Sequence, residues 1–132
     1  MGYFARGTGF IVIENSKIAK LALSVKILIN ENQRGFAWVD SYKLSEACKS
    51  KNISAIFREW GFSIEKQGDE EGRYIIDFDN KIMDEEVFLK RIAPFVTRGE
   101  IFWTGEDGAL WKNEFGWSSC ALHFSLVLFT SN

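Results

Sequence analysis

The sequence predicts an α+β fold: a single antiparallel sheet with about three helices packed on one face, which makes a two-layer sandwich. Three observations lead to this prediction. Apolar residues recur at helical spacing in 18–29 and again in 53–60. Apolar and polar residues alternate between turn signals in 62–80 and 99–129, as they do in hairpin strands. The length and the 46% content of hydrophobic residues are typical of one globular domain, spanning 1–132.

The N-terminal part is predicted to hold one strand and two helices. Residues 8–14 form a short β-branched run bounded by glycine, which favours a strand. A helix follows over 18–29, although residues 22–29 also alternate in a way that suits a strand, and this alternative stays open. A second helix begins at Asp40 or Ser41, because both residue types favour the N-cap position.

The middle of the chain continues with a helical stripe, a hairpin and another helix. The stripe ends at Trp60, which we expect to be a core residue. Strands over 62–66 and 73–80 flank an acidic loop. Asp84 is expected to cap the next helix, and Pro94 should kink that helix or end it early.

The C-terminal third is predicted to form three strands joined by two tight turns. A two-residue turn at 106–107 pairs Trp103 with Leu110. A second turn pairs Lys112 with His123. In this register one face collects most of the large apolar residues and must be the core face. The residues assigned to the core face are Phe102, Trp111, Phe115, Leu122, Phe124, Leu126 and Leu128.

The opposite face is then predicted to carry apolar side chains where a solvated sheet is normally polar. The candidate partner-binding residues on it are Ile101, Trp103, Leu110, Lys112 and His123. Tryptophan is a frequent anchor of protein interfaces, so a protein-binding surface is the leading interpretation. Two alternatives stay open: segment 30–40 covers the cluster, or the cluster lines a small-molecule pocket.

No residue pattern predicts a catalytic site, a bound metal or a cofactor, and we expect a protein that is not an enzyme. His123 is the only histidine, and no nucleophile or carboxylate is implied within its reach. Asp77 and Asp79 share a strand face near Asp84, and a metal-dependent enzyme with this acidic site is kept as an alternative. A solvated strand face explains the same three residues and is favoured.

Charge is divided unevenly along the chain. Residues 1–58 carry nine Lys or Arg against four Asp or Glu, and residues 59–132 carry seven against fourteen. This division suits electrostatic steering toward a protein partner. It also supports a second function, a nucleic-acid-binding accessory protein that uses the basic N-terminal half. The basic residues concerned are Lys17, Lys20, Lys26, Lys43, Lys49, Lys51 and Arg58.

The protein is expected to be cytoplasmic and to have no membrane partner. No apolar run reaches the ~18 residues that a bilayer requires, and no signal-peptide pattern is present. Cys48 and Cys120 are the only cysteines, and we expect both to be reduced thiols. Residues 122–130 form an apolar final strand that must be central or covered, and a homodimer is one way to cover it.

Two parts of the sequence resemble known proteins. They are residues 1–9 (MGYFARGTG) and the segment 84–115, with IAPFV at 92–96 and GEDG at 105–108 followed by Trp111. These motifs resemble a loose group of small phage and mobile-element proteins. The resemblance implies a phage accessory gene product, and such products often bind and inhibit a host protein, including host defence enzymes. No functional residue carries over, because the shared motifs are structural.

Overall fold

The computed structural model describes residues 2–32, 35–36, 39–118 and 121–129, and from residue 117 onward it describes the backbone alone. It confirms the predicted α+β fold, in which one antiparallel sheet forms one layer and the helices form the other. The strands are β1 (Phe4–Val12), β2 (Phe62–Lys66), β3 (Arg73–Lys81), β4 (Arg98–Gly105), β5 (Leu110–Ser118) and β6 (Ala121–Phe129). The helices are α1 (Ile18–Glu31), α2 (Ser41–Ser50), α3 (Ile53–Glu59) and α4 (Glu85–Ile92), with 3₁₀ turns at Asn15–Lys17 and Ala93–Phe95.

The sheet has six strands in the order β2-β3-β1-β4-β5-β6, and every neighbouring pair is antiparallel. The first strand of the chain therefore lies between β3 and β4, near the middle of the sheet. The strands β2 and β6 form its two edges.

Alternation along the strands separates an inner face, which is buried, from an outer face. On β3, Tyr74, Ile76 and Phe78 are buried, whereas Asp77 and Asp79 between them are exposed. The inner row joins the same hydrophobic cluster as the buried residues of α1–α4. The helices thus cover the inner face of the sheet, and the strand period of two directs the acidic residues of β3 to the other side.

Side-chain caps begin α2 and α3, and the cap of α2 is the predicted one, whereas α1 begins without a side-chain cap. The Asp40 carboxylate accepts a hydrogen bond from the Lys43 amide at 3.0 Å at the start of α2. The Asn52 side chain accepts one from the Ala55 amide at 3.1 Å at the start of α3. Between them Lys51 adopts the left-handed conformation with φ 56°, which ends α2. The described residues therefore contain four α-helices instead of about three.

The two ends of α4 differ in how well the sequence predicts them. The helix ends at Ile92, and the chain tightens into a 3₁₀ turn around Pro94, as expected for proline near a helix end. The predicted cap is wrong, since the Asp84 side chain makes no capping bond. Instead the Glu85 carboxylate accepts the Met83 amide at 2.6 and 2.7 Å.

An aromatic cluster fills the interior between the sheet and the helices. Trp60 is buried, as predicted, and stacks on Phe88 with ring centroids 5.1 Å apart. Phe57 meets the edge of the same phenylalanine at 5.0 Å. Each such pair stabilises the fold by about 0.5–1.5 kcal/mol beyond the contribution of the apolar area that it buries. The stripe at the end of α3 is therefore part of the core.

The described residues also bear on the cysteine and membrane predictions. Cys48 is a buried free thiol, and burial raises its pKa to about 11, which makes the thiol unreactive at neutral pH. Cys120 lies outside the described residues. Within the described ranges, no helix combines the length and the apolar character that crossing a membrane requires.

Candidate protein-binding surface

The loop between β4 and β5 decides which side chains face outward on the C-terminal part of the sheet. It contains three residues, 106–108, and is closed by a bond from the Gly105 amide to the Ala109 carbonyl at 2.8 Å. Gly108 has φ +85°, the left-handed conformation typical of three-residue hairpin loops. The predicted two-residue turn at 106–107 is therefore wrong by one residue.

This extra loop residue changes the register and inverts the predicted faces of β4. Trp103 pairs with Trp111 instead of Leu110, and Phe102 pairs with Lys112. Because side chains alternate, a shift of one residue moves each β4 side chain to the other face. Trp103 is 3% exposed and Ile101 is 1% exposed. The prediction that these two residues lie on an outer contact surface is wrong.

Trp103 is an integral part of the core. Its indole nitrogen donates to the Asn113 side-chain oxygen at 2.8 Å, so the buried N–H is paired. Its ring lies parallel to that of Trp111, with centroids 5.9 Å apart. A Cβ placed on Gly7 of β1 would lie 2.8 Å from the indole, so the glycine makes room for it. The indole is therefore packed within the core and does not lie on the outer face of the sheet.

Leu110 and Lys112 lie on the outer face, as predicted, and Phe102 takes the place assigned to Trp103. Phe102 is 45% exposed and Leu110 is 37% exposed. Thr104 is also exposed and pairs with Leu110, next to the pair of Phe102 and Lys112. We call Phe102, Thr104, Leu110 and Lys112 the outer patch. The predicted pairing of Lys112 with His123 is wrong, because β5 continues to Ser118 and Lys112 pairs with Val127. The backbone of His123 pairs with Gly116, and its side chain lies outside the described part of the structure.

Ion pairs fix the cation of the outer patch. The Lys112 ammonium lies 2.6 Å from a carboxylate oxygen of Glu114 and 3.8 Å from one of Glu100. Hydrogen bonding to Glu114, together with the charge of Glu100, raises the pKa of Lys112 above its ordinary value. The same ammonium lies 5.4 Å from the centre of the Phe102 ring, within cation–π range. Two carboxylates and one ammonium therefore border an exposed phenylalanine.

Two phenylalanines of β1 on the outer face, Phe10 and Phe4, also have cations over their rings. Two guanidinium groups flank Phe10, with Arg73 at 4.1 Å and Arg98 at 5.5 Å from the ring centroid. The Lys81 ammonium lies 5.7 Å from the ring centroid of Phe4. Phe10 is half-buried, and the two flanking arginines leave less of it accessible than of Phe102. Phe102 is thus more accessible than Phe10, and Phe4 is exposed to a similar extent as Phe102, at 47%.

The three carboxylates of the alternative metal site do not form a group. Asp77 and Asp79 lie on the outer face, where the Asp79 carboxylate is 3.8 Å from Arg6. Asp84 lies in the segment that leads into α4, in the helical layer. No set of three or more His, Cys, Asp or Glu side chains suited to a metal ion occurs among the described residues.

Two cavities lie beside the start of α4, and the sequence gives no sign of them. Their volumes are about 420 and 360 Å³, and Glu85 lines both. Glu85 is only 5% exposed, and this burial raises the pKa of its carboxyl group. The larger cavity is also lined by Trp60, whose buried indole nitrogen has no hydrogen-bond partner. A short acidic run at a helix start predicts solvated side chains, so neither feature could be expected.

The seven basic residues named for nucleic-acid binding lie in the helical layer, on α1–α3 and the turns beside them. Lys20, Lys43 and Arg58 are among those exposed there, on the side of the sheet opposite the outer patch. Nucleic-acid binding through these residues stays a prediction.

The fold and this surface define a class of protein: an α+β domain with an open antiparallel sheet whose described helices all lie on one face. Neither protein-family models, nor curated proteins, nor solved structures yield a match to the chain.

Proposed function

We propose that the protein acts by binding another protein through the outer patch and does not catalyse a reaction. The observation that carries this proposal is the exposed pair of Phe102 and Leu110, on a sheet face that none of the four described helices covers. Protein interfaces have an apolar centre and a polar rim. The outer patch has this arrangement. Phe102 and Leu110 form its apolar centre, and Lys112 with its ion-pair partners Glu100 and Glu114 forms a polar border.

The rigidity of the patch favours binding. Phe102 lies on β4, which pairs with β1 on one side and β5 on the other. Its backbone is thus ordered before a partner arrives, and less conformational entropy is lost on association. An exposed aromatic residue on such a scaffold is a typical interface anchor.

The resemblance of residues 1–9 and 84–115 to small phage and mobile-element proteins supports a more specific proposal about the partner. In this proposal the partner is a host protein in the cytoplasm, and binding inhibits it. The uneven charge along the chain supports the same interpretation, since complementary fields accelerate the association of two proteins.

The test compares two exposed aromatic residues, Phe102 on the outer face of the sheet and Tyr42 in the helical layer. The wild-type protein, Phe102→Ala and Tyr42→Ala are each used to isolate binding proteins from a lysate of the host cells. Tyr42 is 73% exposed on α2 and serves as the matched control. A protein recovered with the wild type is then purified, and its dissociation constant is measured for all three variants by calorimetry.

We expect Phe102→Ala to weaken the binding at least about 10-fold, since truncation of an anchor residue costs about 2 kcal/mol or more and about 1.4 kcal/mol corresponds to a tenfold change. Tyr42→Ala should change it less than about 2-fold. Equal dissociation constants for the wild type and Phe102→Ala would overturn the proposal. Enzymatic turnover of the isolated partner would also contradict a purely binding role.

A further inference from the structure

The two edges of the sheet are built very differently. β2 has five residues, and two of them, Glu65 and Lys66, are charged. β6 has nine residues, with neither a charged residue nor a proline among them. Natural proteins protect a free edge by shortening the strand or by placing charges or proline on it. β2 has two of these protections, and β6 has none.

In a single chain β6 is paired along one side only. β5 pairs with all nine of its residues, from Ala121 with Ser118 to Phe129 with Leu110. Its other main neighbour is the 3₁₀ turn at Ala93–Phe95. No other strand in the described part of the chain pairs with its second edge. About half of the backbone amide and carbonyl groups of β6 therefore point away from β5 and are available to hydrogen-bond water or another strand.

We propose that a second copy of this chain pairs with β6 in antiparallel orientation and forms a dimer. A strand with no charged residue can face an identical strand without like-charge repulsion. Antiparallel pairing of identical strands has two-fold symmetry, so both copies use the same surface. No other partner is needed to complete this edge.

The register of the proposed pair follows from the length of β6. All nine residues pair only when Ser125 lies on the two-fold axis, opposite its own copy. Phe124 then pairs with Leu126, and Leu122 with Leu128. Even-numbered positions meet even-numbered positions, so each face of one sheet continues into the same face of the other. The result is a continuous sheet of twelve strands.

The dimer is also expected to be the end point of assembly. Pairing uses both copies of β6, and the remaining edges of the joined sheet are the two copies of β2. Their charged residues discourage further strand addition. The outer patches of the two copies then lie on the same face of one sheet. This inference is independent of the proposed binding function, since β6 and not the outer patch forms the contact.

The first test measures the mass of the full chain in solution by light scattering on a sizing column, from about 5 to 100 μM. The wild type should have twice the chain mass of 15.1 kDa. Ser125→Lys places two lysines opposite each other on the axis and should give a monomer. Ser63→Lys introduces the same change into β2 and should leave the dimer intact. A monomeric wild type at 100 μM, or a dimeric Ser125→Lys, would overturn the proposal.

The second test does not depend on how Ser125→Lys folds. Ser125→Cys should form a disulfide between the two copies under mild oxidation, because directly paired residues of antiparallel strands have Cα atoms about 4.5–5.5 Å apart. Peptide mapping should identify the 125–125 bond, and Ser63→Cys should give no corresponding bond. Absence of the 125–125 bond would contradict the register. Phe102→Ala should remain dimeric, so a failed binding proposal would leave this one standing.

Discussion

A single glycine explains how a tryptophan can be buried in the middle of the sheet. Gly7 pairs with Trp103, and the six-membered part of the indole occupies the space where a Cβ at position 7 would lie. Sequence reasoning places Gly7 just outside a strand of 8–14, whereas it lies well inside β1. The reason is non-local, because the residue that needs the space is in β4. No local pattern around position 7 contains this information.

Gly7→Ala should therefore destabilise the protein by about 1–3 kcal/mol, the usual cost of adding a methyl group to a packed core. Gly116→Ala is the matched control, since it is also a strand glycine but has open space around its Cβ position. The control should change the free energy of unfolding by less than about 0.5 kcal/mol. Urea unfolding of the two variants measures the difference, and equal effects would contradict the packing described for Trp103.

Glu85 shows at the same scale how packing overrides a local rule. The sequence places it in the first turn of a helix, where a solvated acid interacts favourably with the helix dipole. In the structure its side chain is buried beside two cavities, and its carboxylate accepts the Met83 amide. The predicted position of Glu85 in the first turn of α4 is thus confirmed. The pKa of its carboxyl group is raised by burial, which the local sequence does not predict.

Among the elements, the hairpin of β4 and β5 has the largest effect on the interpretation of the surface. The sequence GEDG suits both a two-residue and a three-residue loop, and the two differ by one residue in register. That difference exchanges Phe102 and Trp103 between the faces. Leu110 and Lys112 lie on the predicted face, because the prediction places alternate residues of β5 on the correct sides of the sheet.

Gly108 should be the most sensitive position of this loop. With φ +85° it needs a residue that tolerates the left-handed region, and no neighbour crowds its Cβ position. Gly108→Val should destabilise the protein by about 1–3 kcal/mol, and Gly108→Asn by clearly less, since asparagine enters this region more readily. Thermal unfolding of the two variants provides the comparison. Valine tolerated as well as asparagine would argue for a different loop.

Elements with strong local chemistry were predicted well. The cap at Asp40 and the helix end at Pro94 depend on residues within a few positions of one another. Residues 22–29, which fit both a helix and a strand, belong to α1. The helical stripe of Leu21, Ala22, Val25 and Leu28 faces the core, and tertiary packing settles the choice that periodicity left open.

At the scale of the whole molecule, periodicity predicts the layers but not the order of the strands. Alternating and helical patterns together are enough for an α+β fold with helices on one face of a sheet. The place of β1 between β3 and β4 depends on pairing partners more than 60 residues away along the chain. The edge position of β6 could likewise not be predicted from the sequence. Its apolar composition predicts only that this strand is central or covered.

The position of β6 connects the fold to both proposals. The helical layer covers the inner face, and the outer face is open at the outer patch. The apolar edge lies one strand beyond that patch, because β6 follows β5 in the sheet. The same half of the sheet therefore carries the surface proposed for a protein partner and the edge proposed for a second copy.

The most direct test of the central claim compares two neighbouring residues of β4. The free energy of unfolding in urea is measured for Trp103→Ala and Phe102→Ala. We predict a loss of about 3–5 kcal/mol for Trp103→Ala, which opens a cavity and leaves the Asn113 side chain without its partner. Phe102→Ala should lose less than about 1 kcal/mol. The reverse order would mean that Trp103 faces outward and that the register described for β4 and β5 is wrong.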